Sequence, residues 1–318
     1  MKQATRTAII VCLFLCSYFI VQNTYTSAYI NRLKEASLPA SAAKTDLYEE
    51  IKRQAKKREI PAQDATVDKI WRAMPGYNGR TVDIQASYEN MKKEAGFDER
   101  KLVYKEVSPK VHLKDLPPAP IYRGHPDKKM IALTVNVAWG NEYIPTMLEI
   151  LKKHKVAATF FLEGRWVKEN PALAKMIAEA KQEVGNHSYT HPDMKTLSSG
   201  AIEEQLIKTN EIIEATTNKK VNWFAPPSGS YRDEVVKIAR KHGMGTIMWT
   251  VDTIDWQRPE PSVLIQRVTS KAHPGAIVLM HPTSPTARSL DTLITRLKKD
   301  GYKIGTVTEL LDEKRIDL

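Results

Sequence analysis

The chain has 318 residues, 42% hydrophobic and 27% charged, which is the composition of a protein that buries a core, with room for one ordinary domain and a smaller one. Its 48 Lys and Arg against 37 Asp and Glu leave a formal charge of +11, compatible with nucleic acid, a membrane surface or an anionic wall polymer. Both cysteines, Cys12 and Cys16, fall in one N-terminal apolar run, so the remainder has no disulfide, thiol nucleophile or thiolate ligand, and any metal must be held by His, Asp or Glu.

That run, residues 8–21, follows Lys2 and Arg6 and is broken only by Ser17. As a helix it would reach about 21 Å, short of the roughly 30 Å of membrane hydrocarbon. Thr26, Ser27 and Ala28 then supply the small residues of a cleavage site, so residues 1–28 read as an export signal, or as a short membrane anchor if uncleaved. Export removes nucleic acid as the natural partner of the positive charge. Residues 29–65 read as a charged stalk, helical and solvated where Lys, Glu and Gln are densest. Residues 66–114 read as a small α+β module. Val67, Ile70, Trp71 and Met74 recur at helical spacing, Asn78-Gly79 marks a turn, and Leu102 to Leu113 reads as extended apart from Pro109. Pro117, Pro118, Pro120 and Pro126 make residues 115–127 a stiff linker.

From residue 128 to 318 the pattern alternates between strand and helix. Apolar runs at 130–135, 156–162, 222–225, 245–249 and 276–280 are separated by amphipathic stretches. One carries Ile144, Met147, Leu148 and Leu151 on a single face, and another opens with Asn170 as N-cap and Pro171 at the first helical position. Roughly six or seven such units argue for a parallel α/β sheet or barrel, whose chemistry sits at the C-terminal ends of the strands. The residues there are suggestive. His187 and His191, four apart, would face one side of a helical turn and share a metal. His281 follows the last of the five runs and suits proton donation near neutral pH, although a hydrogen-bonded structural histidine is the commoner fate. Asp252, Asp255 and Trp256 close another strand, and Pro226, Pro227 and Ser228 form a rigid loop whose N–H groups would serve a developing oxyanion or merely turn the chain.

Taken in order, Leu133-Thr134-Val135-Asn136-Val137, His187-Ser188-Tyr189-Thr190-His191, Phe224-Ala225-Pro226-Pro227-Ser228-Gly229, Asp252-Thr253-Ile254-Asp255-Trp256 and Leu279-Met280-His281 make the chain resemble carbohydrate esterase family 4, the polysaccharide deacetylases. The wording Trp139-Gly140-Asn141-Glu142 and His281-Pro282-Thr283 is similar to the sporulation type of spore-forming bacteria. The resemblance implies a distorted (β/α) barrel of about seven strands and hydrolysis of N-acetyl groups on a chitin-like glycan or peptidoglycan. By position it makes His187 and His191 metal ligands and His281 the catalytic acid, and puts Asn136 where the catalytic base stands. Asp252 becomes the carboxylate that sets the charge balance around base and acid. Pro226, Pro227, Ser228, Trp256 and Leu279 become the substrate-binding residues.

The pattern breaks at three places. The family's paired aspartates, base and metal ligand, read Asn136 and Val137, and the arginine that steadies the base reads Ala225. An amide accepts no proton and a valine ligates nothing, so zinc or another divalent metal is expected to be bound weakly or not at all. Glu142 either reaches back as a substitute ligand or is an ordinary exposed carboxylate. Arg232 or Arg258 would have to partner Asp252 in place of the lost arginine. Two expectations follow: an exported deacetylase of cell-wall or spore-wall glycan with activity weak or lost, or an inactive glycan-binding or assembly module on the same barrel, with the glycan as partner in both. Oligomeric state is not legible.

Overall fold

The computed structural model describes residue 18 and residues 23–93 and 96–317, so the apolar run 8–21 lies outside the described residues except for Tyr18. Packing divides the chain into two compact units, Met1–Ile60 with Arg80–Lys105 and Pro61–Gly79 with Glu106–Leu318, and the segment 66–114 contributes to both. In the first unit a long helix, Thr24–Lys57, starts at Asn23, whose side chain accepts from the Tyr25 N–H. A second helix, Ile84–Met91, is capped by Asp83. Ile51, Ala55, Val82, Tyr88, Met91 and Leu102 form its small core. Among the described residues no helix is long and apolar enough to cross a membrane.

The expected helix over Val67–Met74 is instead a hairpin: Thr66–Asp68 pairs antiparallel with Arg72–Met74. Asp68 Oδ1 accepts from the N–H groups of Ile70 and Trp71, both at 2.7 Å, and Arg72 takes a left-handed φ of 60°. That side-chain turn competes with the helix and wins, leaving Val67 and Ile70 exposed. The proline-rich segment after it is packed down, with Ile121 buried and bridged to both Arg72 and Ile247.

The large sheet holds eight parallel strands: β1 (Met130–Val137), β2 (Thr159–Leu162), β3 (Glu183–Asn186), β4 (Trp223–Phe224), β5 (Gly245–Thr246), β6 (Val251–Asp252), β7 (Ile277–Met280) and β8 (Lys303–Gly305). Seven run in the order β6-β7-β1-β2-β3-β4-β5, and β8 pairs with β1. This curled sheet is the distorted (β/α) barrel that the alternating pattern predicts. Every residue of β1 is buried, which explains its nearly unbroken apolar reading: helices and neighbouring strands cover both of its faces. The helices are α1 (Ile144–His154), α2 (Gly164–Glu169), α3 (Pro171–Glu179), α4 (Ser199–Thr217), α5 (Asp233–Lys241), α6 (Pro261–Lys271), α7 (Ser284–Lys299) and α8 (Val307–Leu311). On α1, Ile144, Met147, Leu148 and Leu151 are the buried face, as their spacing requires. Asn170 stands at the N-cap of α3 without capping it. Its amide donates to the Trp166 carbonyl and its oxygen accepts from Asn141, tying α3 to the loop after β1.

Candidate active site

Parallel connectivity delivers the C-terminal ends of β1, β3, β6 and β7 to one mouth. A cavity of about 360 Å³ opens there, lined by Asn136, Ala138, Trp139, His187, His191, Ser228, Trp249, Asp252, Trp256, Leu279 and His281. Eight of the residues singled out in the sequence therefore meet around one space. Pro226 and Pro227 do not line it. They are buried behind the turn that presents Ser228, which sits at a left-handed φ of 52°.

His187 is buried, and its Nδ1 lies 2.8 Å from the carbonyl of Ala225. A carbonyl only accepts, so Nδ1 carries the proton and Nε2 keeps its lone pair. Burial pushes the His187 pKa down to about 3, with His191 adding to the effect, so the ring is neutral throughout the physiological range. Burial likewise lowers His191. The helical turn expected between the two is absent. Residues 187–191 form a loop in which Ser188 and His191 both take left-handed φ, held by Asn186, whose Oδ1 accepts from the Ser188 N–H, and by Gln205, which accepts from Tyr189 and Thr190. The loop still brings the two rings edge to face at 5.0 Å between centroids.

The strand end opposite them has lost its acid. Asn136 is buried, faces the cavity, and its Oδ1 has no hydrogen-bond partner. Val137 is fully buried among the core side chains. Glu163, at the mouth end of β2, is turned to α2: its Oε2 accepts from the Trp166 N–H, and its buried Oε1 makes no hydrogen bond but has the Arg165 guanidinium 3.2 Å away. Glu142 is exposed and lines a neighbouring cleft. Among the described residues no group of three His, Cys, Asp or Glu side chains is arranged to hold a metal. Catalytic zinc takes three protein ligands, so the residues present do not fit such a site.

His281 is positioned by a carboxylate that family position alone did not select. Asp255, fully buried, accepts from the His281 N–H (2.6 Å), from His281 Nδ1 (2.8 Å) and from the Thr286 hydroxyl (2.6 Å). A carboxylate fixes the tautomer as the Ala225 carbonyl does for His187, leaving Nε2 available to the cavity. Asp252 lines the cavity and accepts from the Ile254 N–H at 2.8 Å, a local turn contact, so the partner of His281 is Asp255 and not Asp252. Arg232 is occupied by Glu234 and the carbonyls of Lys195 and Leu197, so it does not stand in for the arginine missing at Ala225. Trp139 stacks on His281 with centroids 5.9 Å apart and planes 9° from parallel. The loop that carries it depends on Gly140, at φ 82°, where an added Cβ would fall 2.0 Å from the Pro282 carbonyl oxygen. Gly140→Ala should therefore cost about 2–4 kcal/mol, from left-handed strain plus a backbone clash, read as a melting temperature lower by roughly 5–10 °C.

A barrel with imidazoles from the ends of two different strands, one of them backed by a buried carboxylate, and tryptophans at its rim has the layout of a carbohydrate hydrolase's site without the carboxylate that would complete it. The comparisons give the family. A profile of the polysaccharide deacetylase family matches residues 123–247. The peptidoglycan-N-acetylmuramic acid deacetylase PdaA of Bacillus subtilis is 36% identical over 202 residues, covering 62% of this chain and 77% of that protein. The chain belongs to the polysaccharide deacetylase family, carbohydrate esterase family 4. One further relative, seen in two forms, bears on the altered site. The wild-type structure of BA3943 from Bacillus anthracis, described as a family 4 pseudoenzyme, is 72% identical, covers 86% of this chain and 97% of that chain, and superposes with a TM-score of 0.81. A mutant of BA3943 is described as having restored enzymatic activity, at 71% identity and a TM-score of 0.80. YlxY of Bacillus subtilis, a protein of uncharacterised function, is 55% identical over 99% of both chains.

Proposed function

We propose that the protein is an exported envelope protein that binds N-acetylated cell-wall glycan on a deacetylase barrel whose own hydrolysis is weak or lost. The observation that carries this is the end of β1: an unpartnered amide oxygen at Asn136, where the base belongs, beside a valine sunk in the core. An amide orients a water but cannot take its proton, and loss of a general base costs about 10²–10⁴-fold. Two neutral imidazoles without a carboxylate hold zinc weakly and give a bound water little reason to ionise at neutral pH. The pocket itself survives, with Trp256, Leu279 and Ser228 around the two histidines and His281, and this supports retained binding of an acetamido sugar. PdaA is named for peptidoglycan, which supports an envelope glycan as partner, and BA3943 is described as a pseudoenzyme, which supports weak or lost hydrolysis.

The test is binding and turnover measured together. Titration with N-acetylglucosamine oligomers should give saturable binding that is unchanged by chelators, while acetate release from the same oligomers or from peptidoglycan stays at background. Brisk acetate release by the unmutated protein, or binding abolished by chelation, would overturn this reading.

A further inference from the structure

Beside the pocket lies a second cleft of about 590 Å³ that shares Trp139 and Trp256 with it. Both indoles line both spaces and are half exposed, at 48% and 56% of their surface. A large apolar ring left open at a cavity mouth is an unfilled stacking surface, and the C–H face of a sugar ring is what fits it. The far side of the cleft differs in chemistry from the pocket. Arg258 and Arg288 line it, and the Arg258 side chain has no hydrogen bond or ion pair among the described residues, its backbone N–H alone donating to the Asp255 carbonyl. Arg288 meets Glu260 only at 3.6 Å with both side chains exposed, a pair that a ligand displaces at little cost. Of the carboxylates on the same cleft, Asp255 is buried and fully engaged with His281 and Thr286, which leaves Glu142 as the one free acid lining it among the described residues. Planar guanidiniums next to aromatic faces are suited to a carboxylate carried on a sugar, where they donate in pairs to both oxygens.

We propose that this cleft is a recognition site for an acidic group on the glycan, so that the protein selects a polymer in which a carboxylate-bearing amino sugar neighbours the N-acetyl sugar in the pocket. This rests on the glycan-binding reading above, and names the chemistry of the polymer that reading leaves open. The pocket takes a neutral acetamido group between Trp256, Leu279 and the histidines. Trp139 and Trp256 stack the chain as it leaves, and Arg258 and Arg288 select its charge.

The experiment compares two probes of equal length on the full protein by calorimetry: a neutral N-acetylglucosamine tetramer, and a tetramer alternating N-acetylglucosamine with N-acetylmuramic acid, whose lactyl ether carries a free carboxylate. The variants are Arg258→Asn, chosen because Asn tolerates the left-handed φ of 53° at that position, Arg288→Gln, and the two combined. The wild type should bind the acidic tetramer about 10-fold or more tighter than the neutral one at low salt, and the margin should shrink as salt rises. In the double variant the margin should vanish while affinity for the neutral tetramer stays within about 2-fold. Equal binding of both tetramers by the wild type overturns the proposal and leaves the glycan reading standing. A preference that survives the double variant overturns the assignment to this cleft. Failure of both tetramers to bind overturns the proposal and the glycan reading together.

Discussion

Asn136→Asp combined with Val137→Asp should raise acetate release from N-acetylated glycan by about 10²–10⁴-fold in the presence of zinc, and should make the fold depend on that metal. The first change supplies a group able to take a proton from water, and the magnitude is that of a recovered general base. The second places a carboxylate where Val137 is now fully buried. Without metal that acid has no partner, and burying it costs about 3 kcal/mol or more, whether as an unpaired charge or through the work of holding it protonated. For a barrel of this size the melting temperature should fall by about 10 °C in chelator. With zinc, the new carboxylate and the two imidazoles make three ligands, and saturation at 100 times the dissociation constant restores about 2.7 kcal/mol. The signature is therefore paired: turnover gained, and a melting temperature that rises with zinc in the double variant but hardly in the wild type. A wild type that already matches the double variant in turnover would show that the account of a damaged site is wrong. Ala225 limits the yield. It is buried and carries no guanidinium, so nothing at this position steadies the new base.

The barrel was legible because its signal is local and repeated. A strand buried on both faces reads as an apolar run, and the ordered histidines sit where such runs end. The damage at Asn136 and Val137 was legible for the same reason, since strand ends fix position to the residue. Contacts decided by chain reversals were not legible. Asp252 and Asp255 stand three apart on one short segment, and only the left-handed φ of 52° at Ile254 turns the second toward β7 while the first closes its own turn. The pair His187 and His191 fits a helical turn by spacing, but two left-handed residues put it in a loop. Val67 to Met74 failed similarly, because four apolar positions at helical spacing also fit a hairpin once Asp68 ties the turn. Trp139 carried no chemical signal of its own. Its place over His281 follows from Gly140 and Pro282, which meet only in the folded chain.

Asp255→Ala should destabilise the protein by about 3–5 kcal/mol, against about 1 kcal/mol or less for Asp252→Ala. The difference lies in what each leaves behind. Asp255 is fully buried and is the shared acceptor for three donors on the end of β7 and the first turn of α7. Removing it leaves the His281 backbone N–H, the His281 ring N–H and the Thr286 hydroxyl, and each buried donor so orphaned costs on the order of 1–3 kcal/mol. Asp252 is partly exposed and has one local acceptor role, which water can replace. Thermal unfolding separates the two, with a fall of about 10 °C or more for Asp255→Ala and no more than about 4 °C for Asp252→Ala. Asp255→Asn keeps the shape but offers one acceptor oxygen where three donors converge, so it should fall between them. Placed in the Asn136→Asp, Val137→Asp background, the same Asp255→Asn change should also cut acetate release by about 10²-fold or more, since an amide no longer fixes which nitrogen of His281 carries the proton. Equal stability losses at Asp252 and Asp255 would mean that the histidine is held by something else. The expected contrast would explain why a chain without its catalytic base still keeps this acid and carboxylate: together they close the barrel mouth against α7.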